Sequence, residues 1–170
     1  TALIGEYDHY IYLGATPKYR QRVIALNIWT ADSPTWKQAP DGTISNRPPA
    51  YTGASLGGLW RMRAFPTQRF SDKAAIYYAA ELRLIPEWNL FEYLPRLQER
   101  VGVQWMQFVG FVEVGRVAPR WTVGALHSSM QWDGGVGVRL WAKGLVVRVD
   151  TALSNEGVGI QMMVSQPFQF

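Results

Sequence analysis

The sequence predicts an all-β protein, an antiparallel transmembrane β-barrel of which this chain supplies about seven or eight strands. Long stretches alternate apolar with polar residues at a period of two, which is typical of strands. No run of about 18 apolar residues occurs, so a membrane-spanning helix is excluded, and a mean hydropathy of −0.10 fits strands with one apolar face. The eight Trp, eight Tyr and seven Phe suit the aromatic girdles of such a barrel.

The end of the chain alternates most regularly and predicts a strand over Gly157–Phe168. Its apolar positions are predicted to face lipid: Val158, Ile160, Met162 and Val164. Phe168 and Phe170 continue the same face, and Phe170 is expected at the periplasmic rim. An aromatic residue at the very end favours a membrane barrel, because soluble domains usually leave their last residues polar and loose.

Six further strands follow from the same alternation: Leu3–Gly14, Arg22–Thr30, Ala74–Ile85, Val101–Val117, Gly134–Lys143 and Leu145–Leu153. Several of them exceed the length of about 5–6 residues that is commonest in globular sheets, which again favours a membrane barrel. Charged side chains occupy the polar side of these strands and are predicted to line the inner wall: Glu81, Arg83, Arg139, Arg148 and Asp150.

Residues 31–71 lose all periodicity and are predicted to form one long loop. The segment contains several prolines, but Trp36, Trp60 and Phe65 favour an ordered structure. Loops of this length in a compact domain are usually functional or disordered. When strands are counted back from the last one, this loop falls on the extracellular side.

Composition excludes several functional classes. The chain has no Cys, so disulfides and thiolate metal sites are ruled out. The net charge of +4 comes without a long basic run, so we expect no nucleic-acid partner. His9 and His127 lie far apart and lack metal-ligand spacing, so no metal site and no cofactor are expected.

Several motifs occur in an order that resembles the barrel of the BamA-like superfamily, also called the bacterial surface antigen family, which includes two-partner-secretion transporters. They are Leu56-Gly57-Gly58, Arg61-Met62-Arg63-Ala64-Phe65, Arg69-Phe70-Ser71-Asp72-Lys73-Ala74-Ala75, Phe111-Val112-Glu113-Val114-Gly115, Gly135-Val136-Gly137-Val138-Arg139 and Arg148-Val149-Asp150. The resemblance covers roughly residues 51–170, and it rests on the order of the motifs rather than on any single one.

The resemblance implies that the 31–71 loop folds back into the barrel lumen. Its tip, Arg63-Ala64-Phe65, matches an Arg-Gly-Phe motif, and Glu113 stands where the family has an inner-wall Asp. By this analogy Arg63, Phe65 and Glu113 lock the loop through an Arg–carboxylate pair. Ala64 adds a Cβ where Gly permits a positive φ or a close approach. Phe168 and Phe170 resemble the family's C-terminal strand signal.

The resemblance also implies a function at the outer membrane of Gram-negative bacteria. The family inserts or translocates outer-membrane proteins or lipids without a cofactor. The expected partners are outer-membrane lipids, client proteins and periplasmic modules. The family barrel has about sixteen strands, so this chain is expected to be the C-terminal half of a larger barrel, completed by an N-terminal half or by another chain.

The strand count supports an incomplete barrel. Seven strands would start the chain on the extracellular side, whereas an exported barrel starts in the periplasm and has an even number of strands. Either one strand is missed or Thr1 is not the true start. The chain is therefore expected to be a single barrel domain over 1–170 or, as we favour, one half of a barrel.

Two alternative functions remain open at this stage. The chain could be a structural barrel anchor or a small pore that serves another module. It could also be a serine hydrolase, because Gly53-Ala54-Ser55-Leu56-Gly57 matches the nucleophile elbow, with Asp72 and His127 as partners. The elbow needs a buried strand before it and a helix after it, and the prolines and glycines on both sides disfavour that context. We therefore expect no enzymatic activity.

Overall fold

The computed structural model describes residues 1–49 and 51–165, which form a mostly β structure. Within these residues the strands are β1 (Leu3–Tyr12), β2 (Tyr19–Asp32), β3 (Lys37–Gln38), β4 (Ile44–Ser45), β5 (Ala54–Leu56), β6 (Phe70–Asp72), β7 (Ala74–Pro86), β8 (Val103–Ala118), β9 (Gln131–Ala142), β10 (Leu145–Ser154) and β11 (Gly157–Ser165). The helices are a 3₁₀-helix (Leu90–Tyr93), α1 (Pro95–Val101) and α2 (Val123–Leu126). No helix of the described residues is long and apolar enough to span a membrane.

Seven long strands form one antiparallel sheet, the main sheet, in the order β1-β2-β7-β8-β9-β10-β11 over the described residues. Each strand pairs with its neighbour along the chain, and only the excursion through β3–β6 interrupts this order. The prediction of an all-β antiparallel fold is therefore confirmed. Over the described residues β1 and β11 are the free edges, and the sheet does not close on itself.

The main sheet is strongly curved, because residues from all seven of its strands line one cavity on the same side. We call this side the inner face and the opposite side the outer face. Even the two edge strands contribute, through Glu6 on β1 and Met163 on β11. The sheet thus wraps around its contents.

The outer face is apolar along its middle and open to solvent. Val136 on β9 is 67% exposed and Ile160 on β11 is 71% exposed. Other exposed apolar side chains of this face are Ile28, Leu82, Val112, Leu153, Val158, Met162 and Val164. Charged side chains of this face, such as Arg22 and Arg116, lie near the strand ends.

The largest buried cluster lies on the inner face, between the main sheet and the segment that joins β5 to β6. Met62 and Phe65 from this segment, together with Leu56 at the end of β5, pack against wall residues such as Trp29 and Phe111. A long loop therefore supplies five of the twelve buried residues of this cluster, and this packing keeps it ordered although it has little regular structure.

The strand boundaries differ from the prediction in a few places. The strand predicted from Val101 begins at Val103, because Val101 ends helix α1 and Gly102 caps it in a left-handed conformation at φ 65°. Strand β9 begins three residues earlier than predicted, at Gln131. The end of the last predicted strand, with Phe168 and Phe170, lies outside the described residues.

Candidate functional site

The 31–71 segment of the sequence prediction is a folded excursion from β2 to β7. A short hairpin, β5–β6, forms its stem, and residues 57–69 form the tip, which we call the loop tip. The loop tip begins with a turn that only glycine fits, since a Cβ on Gly57 would lie 2.2 Å from the Pro66 carbonyl oxygen at a φ of +112°. Backbone hydrogen bonds from Gly58 to Phe65 and from Gln68 to Gly57 then hold the tip compact.

Arg63 is the centre of the site and is only 2% exposed. Its Nε donates to Glu113 Oε1 at 3.0 Å, its Nη1 to Asp150 Oδ2 at 2.9 Å and its Nη2 to Glu81 Oε1 at 2.8 Å. One guanidinium thus joins the loop tip to β7, β8 and β10. The structure brings together Arg63 and Glu113, the pair that the sequence analysis linked, and adds two of the predicted wall carboxylates.

The backbone of the loop tip is held by carboxylates as well. The Arg63 amide donates to Glu113 Oε2 at 2.8 Å, and the Ala64 amide donates to Asp133 Oδ2 at 3.0 Å. Glu113 and Asp133 are direct cross-strand partners on β8 and β9. Tyr77 also donates its hydroxyl to Glu113. Such charge-assisted bonds to buried groups are stronger than neutral ones.

Asp133 was not predicted, because the sequence analysis began its strand at Gly134. The alternation of β9 extends back through Gln131 and puts Asp133 on the inner face with Arg139. A strand traced one residue further back would have included it. Tyr77 and Phe111 were likewise visible as inner-face positions, but their contacts depend on the fold.

Three further arginines surround the same carboxylates, at the positions predicted to line the inner wall. Arg83 and Arg139 donate to Glu81, and Arg148 donates to Asp150. Arg148 also reaches the Leu59 carbonyl oxygen of the loop tip at 2.8 Å. Together with Arg63 they match four carboxylates in the described residues, so the buried network is close to neutral, as buried charges require.

Arg63 keeps its charge despite burial. Burial alone would lower the pKa of its guanidinium, but the carboxylates of Glu113, Glu81 and Asp150 outweigh it and raise that pKa above its ordinary value. The guanidinium carbon also lies 3.5 Å from the centre of the Phe111 ring. A cation over an aromatic face in a dry site adds to its stabilisation.

Phe65 fills the space beside the network and is 1% exposed. Its ring meets Phe70 edge-on, with ring centres 5.0 Å apart. Phe65 therefore holds the tip by packing, while Arg63 holds it by charge.

The substitution at Ala64 has a different consequence from the one expected. Met62, not Ala64, carries the positive φ of the tip, at 58°. The close approach is made possible by the wall, because a Cβ on Gly159 of β11 would lie 2.6 Å from the Arg63 carbonyl oxygen and 2.7 Å from Ala64 Cα. Here the glycine that permits contact belongs to the strand instead of the loop.

Other inner-face glycines also make room for the site. A Cβ on Gly115 would lie 2.8 Å from Leu56 Cδ1, and one on Gly135 would lie 2.8 Å from the Phe111 ring. A Cβ on Gly137 would lie 1.9 Å from the Asp150 carboxylate. These strand glycines form a recess that fits the loop tip and the network beneath it.

Two ion pairs connect the loop to regions near the two edge strands of the main sheet, β1 and β11. Arg61 lies 3.5 Å from Glu6 on β1 and stacks over the Trp29 ring at 4.1 Å. Arg69 forms a two-pronged pair with Glu156 in the β10–β11 turn, at 2.9 and 3.0 Å. The loop therefore bridges regions next to both edge strands.

The nucleophile-elbow motif has a different setting from that of a hydrolase. Ser55 lies on β5 opposite Ser71, and residues 57–69 form turns and bends instead of a helix. The ring nitrogens of His127 lie within hydrogen-bond distance of the Tyr78 hydroxyl and the Val123 carbonyl oxygen, beside α2. The strand-turn-helix context that the elbow requires is therefore not formed around Ser55.

Comparison with protein-family models, curated proteins and solved structures finds no match for this chain. Residues 1–49 and 51–165 contain no group of three His, Cys, Asp or Glu side chains arranged to hold a metal ion. The site is thus characterised by its own geometry, a buried arginine that fastens a loop to the inner face.

Proposed function

We propose that this chain is part of an antiparallel β-barrel of the bacterial outer membrane, of the BamA-like type, that assists the insertion or translocation of proteins or lipids. The observation that carries the proposal is the contrast between the two faces of one sheet. The outer face is apolar and exposed, and the inner face carries a buried charge network and a docked loop.

The outer face supports a membrane environment. Proteins in water rarely expose contiguous apolar patches above a few hundred Å², whereas here exposed aliphatic side chains recur on neighbouring strands. Strands of 9 to 16 residues, such as β11 and β8, reach the length of about 9–11 residues that a tilted strand needs to cross a bilayer.

The positions and lengths of the connections between strands support an orientation of the barrel in the outer membrane. The 33–73 excursion, residues 119–130 and the β10–β11 turn lie at one end of the main sheet, and the turns 13–18 and 143–144 lie at the other. Outer-membrane barrels have short periplasmic turns and longer extracellular loops, so the 33–73 excursion belongs outside. The β7–β8 connection, with α1, is longer than most periplasmic turns.

The strand directions support an incomplete barrel. An antiparallel sheet of seven strands has edge strands, β1 and β11, that run in the same direction. Antiparallel closure then needs an odd number of additional strands between them. A barrel of about sixteen strands would need about nine more, from an N-terminal half or from another chain.

The locked loop tip gives this barrel a defined closed state. With Arg63 on three wall carboxylates, the tip fills part of the lumen, and its release would open the space for a client or solute. A structural anchor or small pore is the second candidate, and the remaining cavity of about 810 Å³ on the inner face favours it.

Vesicle reconstitution tests the proposal. Phosphatidylcholine–phosphatidylglycerol vesicles that contain the full chain should accelerate folding of an added, urea-unfolded outer-membrane barrel protein, and Arg63→Lys should alter that rate. Vesicles that contain an unrelated barrel serve as the control. Equal rates in both vesicle types would contradict an assembly function, and solute efflux without acceleration would favour the pore.

A further inference from the structure

A cavity of about 810 Å³ lies on the inner face beside the loop tip. It shares Arg63 and Glu81 with the lock but extends beyond it, because its lining continues across to β1 and β2 on one side and to β10 and β11 on the other. Cavities of about 300–1,000 Å³ are typical of small-ligand sites. Its charged lining residues within the described chain are Glu6, Asp8, Glu81, Arg61, Arg63, Arg83, Arg139 and Arg148.

This lining carries an excess of positive charge. Among the described residues, five arginines face it against three carboxylates. Two of those carboxylates, Glu6 and Asp8, lie on β1 and share the side-chain amide of Asn27 at 3.0 and 2.8 Å. Arg139 and Arg148 lie on β9 and β10, away from these two carboxylates, whereas Arg61 of the loop tip pairs with Glu6.

Two features show how closely the arginines of this wall are placed and how they share their carboxylate partners. Arg139 and Arg148 are direct cross-strand partners, a placement of like charges that destabilises a sheet unless another group offsets it. Glu81 is shared by Arg63, Arg83 and Arg139. One carboxylate therefore serves three guanidinium groups, and Arg148 has to rely on Asp150, which Arg63 also uses.

We propose that the cavity binds a multiply charged oxyanion of the phosphate type between Arg139, Arg148 and Arg61. Guanidinium forks match the spacing of phosphate oxygens and bind them two at a time. A dianion between the two facing arginines would offset the repulsion between their like charges. Arg61 is available to join, because its contact with Glu6 is long, at 3.5 Å, and its side chain is 26% exposed.

The site does not depend on the proposed membrane function. A chain that never enters a bilayer would still have this wall, and a barrel with any task could carry it. Phosphate groups of two sources fit the same chemistry, a free phosphate and the headgroup of a phospholipid.

Calorimetric titration of the full chain in nonionic detergent tests the proposal. Pyrophosphate should bind more tightly than inorganic phosphate, and acetate should bind least. Arg139→Gln should weaken pyrophosphate binding at least tenfold, whereas Arg96→Gln on exposed helix α1 should change it less than twofold. Arg61→Gln, outside the buried network, gives the same test if Arg139→Gln fails to fold.

A variant that binds pyrophosphate more tightly than wild type complements these losses, because misfolding cannot explain a gain of affinity. Asp8→Asn removes an exposed negative charge from the opposite wall and should tighten pyrophosphate binding about threefold, given Coulomb interactions across several ångströms of water. Competition by short-chain phosphatidic acid at lower concentration than inorganic phosphate would assign the site to a lipid headgroup, and the reverse would assign it to free phosphate. The proposal would be overturned if no pyrophosphate binding were detected at about 10 mM. It would also be overturned if wild type and Arg61→Gln bound pyrophosphate equally well.

Discussion

At the scale of single residues, Arg63 connects more of the molecule than any other side chain in the described site. Its fork reaches carboxylates on β7, β8 and β10, and its main chain bonds to Glu113 and, through Gln161, to β11. Removing one partner of a buried charge cluster costs more than the pair contributes, because the remaining charges stay buried without compensation.

Arg63→Ala should therefore lower the free energy of unfolding by about 3–5 kcal/mol and expose the loop tip to protease. Arg47→Ala is the matched control, since Arg47 lies exposed on the same excursion and stacks on Trp36. Urea titration and limited proteolysis would measure both effects. Similar stability of the two variants would show that Arg63 does not fasten the loop.

Two adjacent tyrosines provide a second test at this scale. Tyr77→Phe removes the hydroxyl that Glu113 accepts in the buried site and should cost about 1–3 kcal/mol. Tyr78→Phe removes an exposed hydroxyl that contacts His127 and should cost less than about 0.5 kcal/mol. Equal losses in thermal denaturation would be inconsistent with a buried network around Glu113.

The sequence predicted part of this site for reasons that are local. Glu81, Arg83 and Arg139 were identified because a period of two puts charges on one side of a strand. The Arg63–Glu113 link came only from the resemblance of two motifs. Asp133 was missed because the predicted strand began one residue after it, and strand ends are the feature that a sequence pattern predicts least well.

At the scale of elements, the loop packs closely against the inner face because strand glycines, which have no side chain, lie at the contact positions. Gly115 on β8 leaves space for Leu56 and for Met62, whose sulfur would lie 3.3 Å from an added Cβ. On the same strand, Gly110 faces outward and an added Cβ would meet nothing within 4 Å.

Gly115→Ala should push the β5–β6 stem away from the wall and cost about 1–3 kcal/mol, as overpacking of cores does. Gly110→Ala should be neutral or slightly stabilising. Hydrogen exchange over residues 57–69 should rise in the first variant alone. If exchange there were equal in both variants, the loop would not be docked against Gly115.

Strands and loop differ in how far sequence can predict them. The alternation that defines β7, β10 and β11 lies within each segment, so the extents of β7 and β10 and the start of β11 follow almost to the residue. The docking of the loop depends on contacts such as Arg63 with Asp150, which are 87 positions apart. Helix α1 was missed although Pro95 at its start and Gly102 just after its end are helix signals, because seven residues are too few for a helical period to stand out.

At the scale of the whole molecule, the central claim is that the outer face meets lipid. An arginine at the middle of a lipid-facing strand costs about 2–4 kcal/mol, and one near the interface costs about 0–1 kcal/mol. Val136→Arg, in the middle of β9, should therefore impair folding into vesicles far more than Leu145→Arg at the end of β10. In a protein that lives in water, both exposed sites would accept arginine equally.

Single-cysteine scanning tests the central claim most directly, because the native chain has no Cys. Each variant along β11 would be labelled with a fluorophore and reconstituted in vesicles that carry a quencher on the lipid chains. Strong quenching is expected at positions 158, 160, 162 and 164, and weak quenching at the inward-facing positions 161 and 163. Uniform quenching along the strand, or a labelled chain that stays in the aqueous phase, would contradict the account.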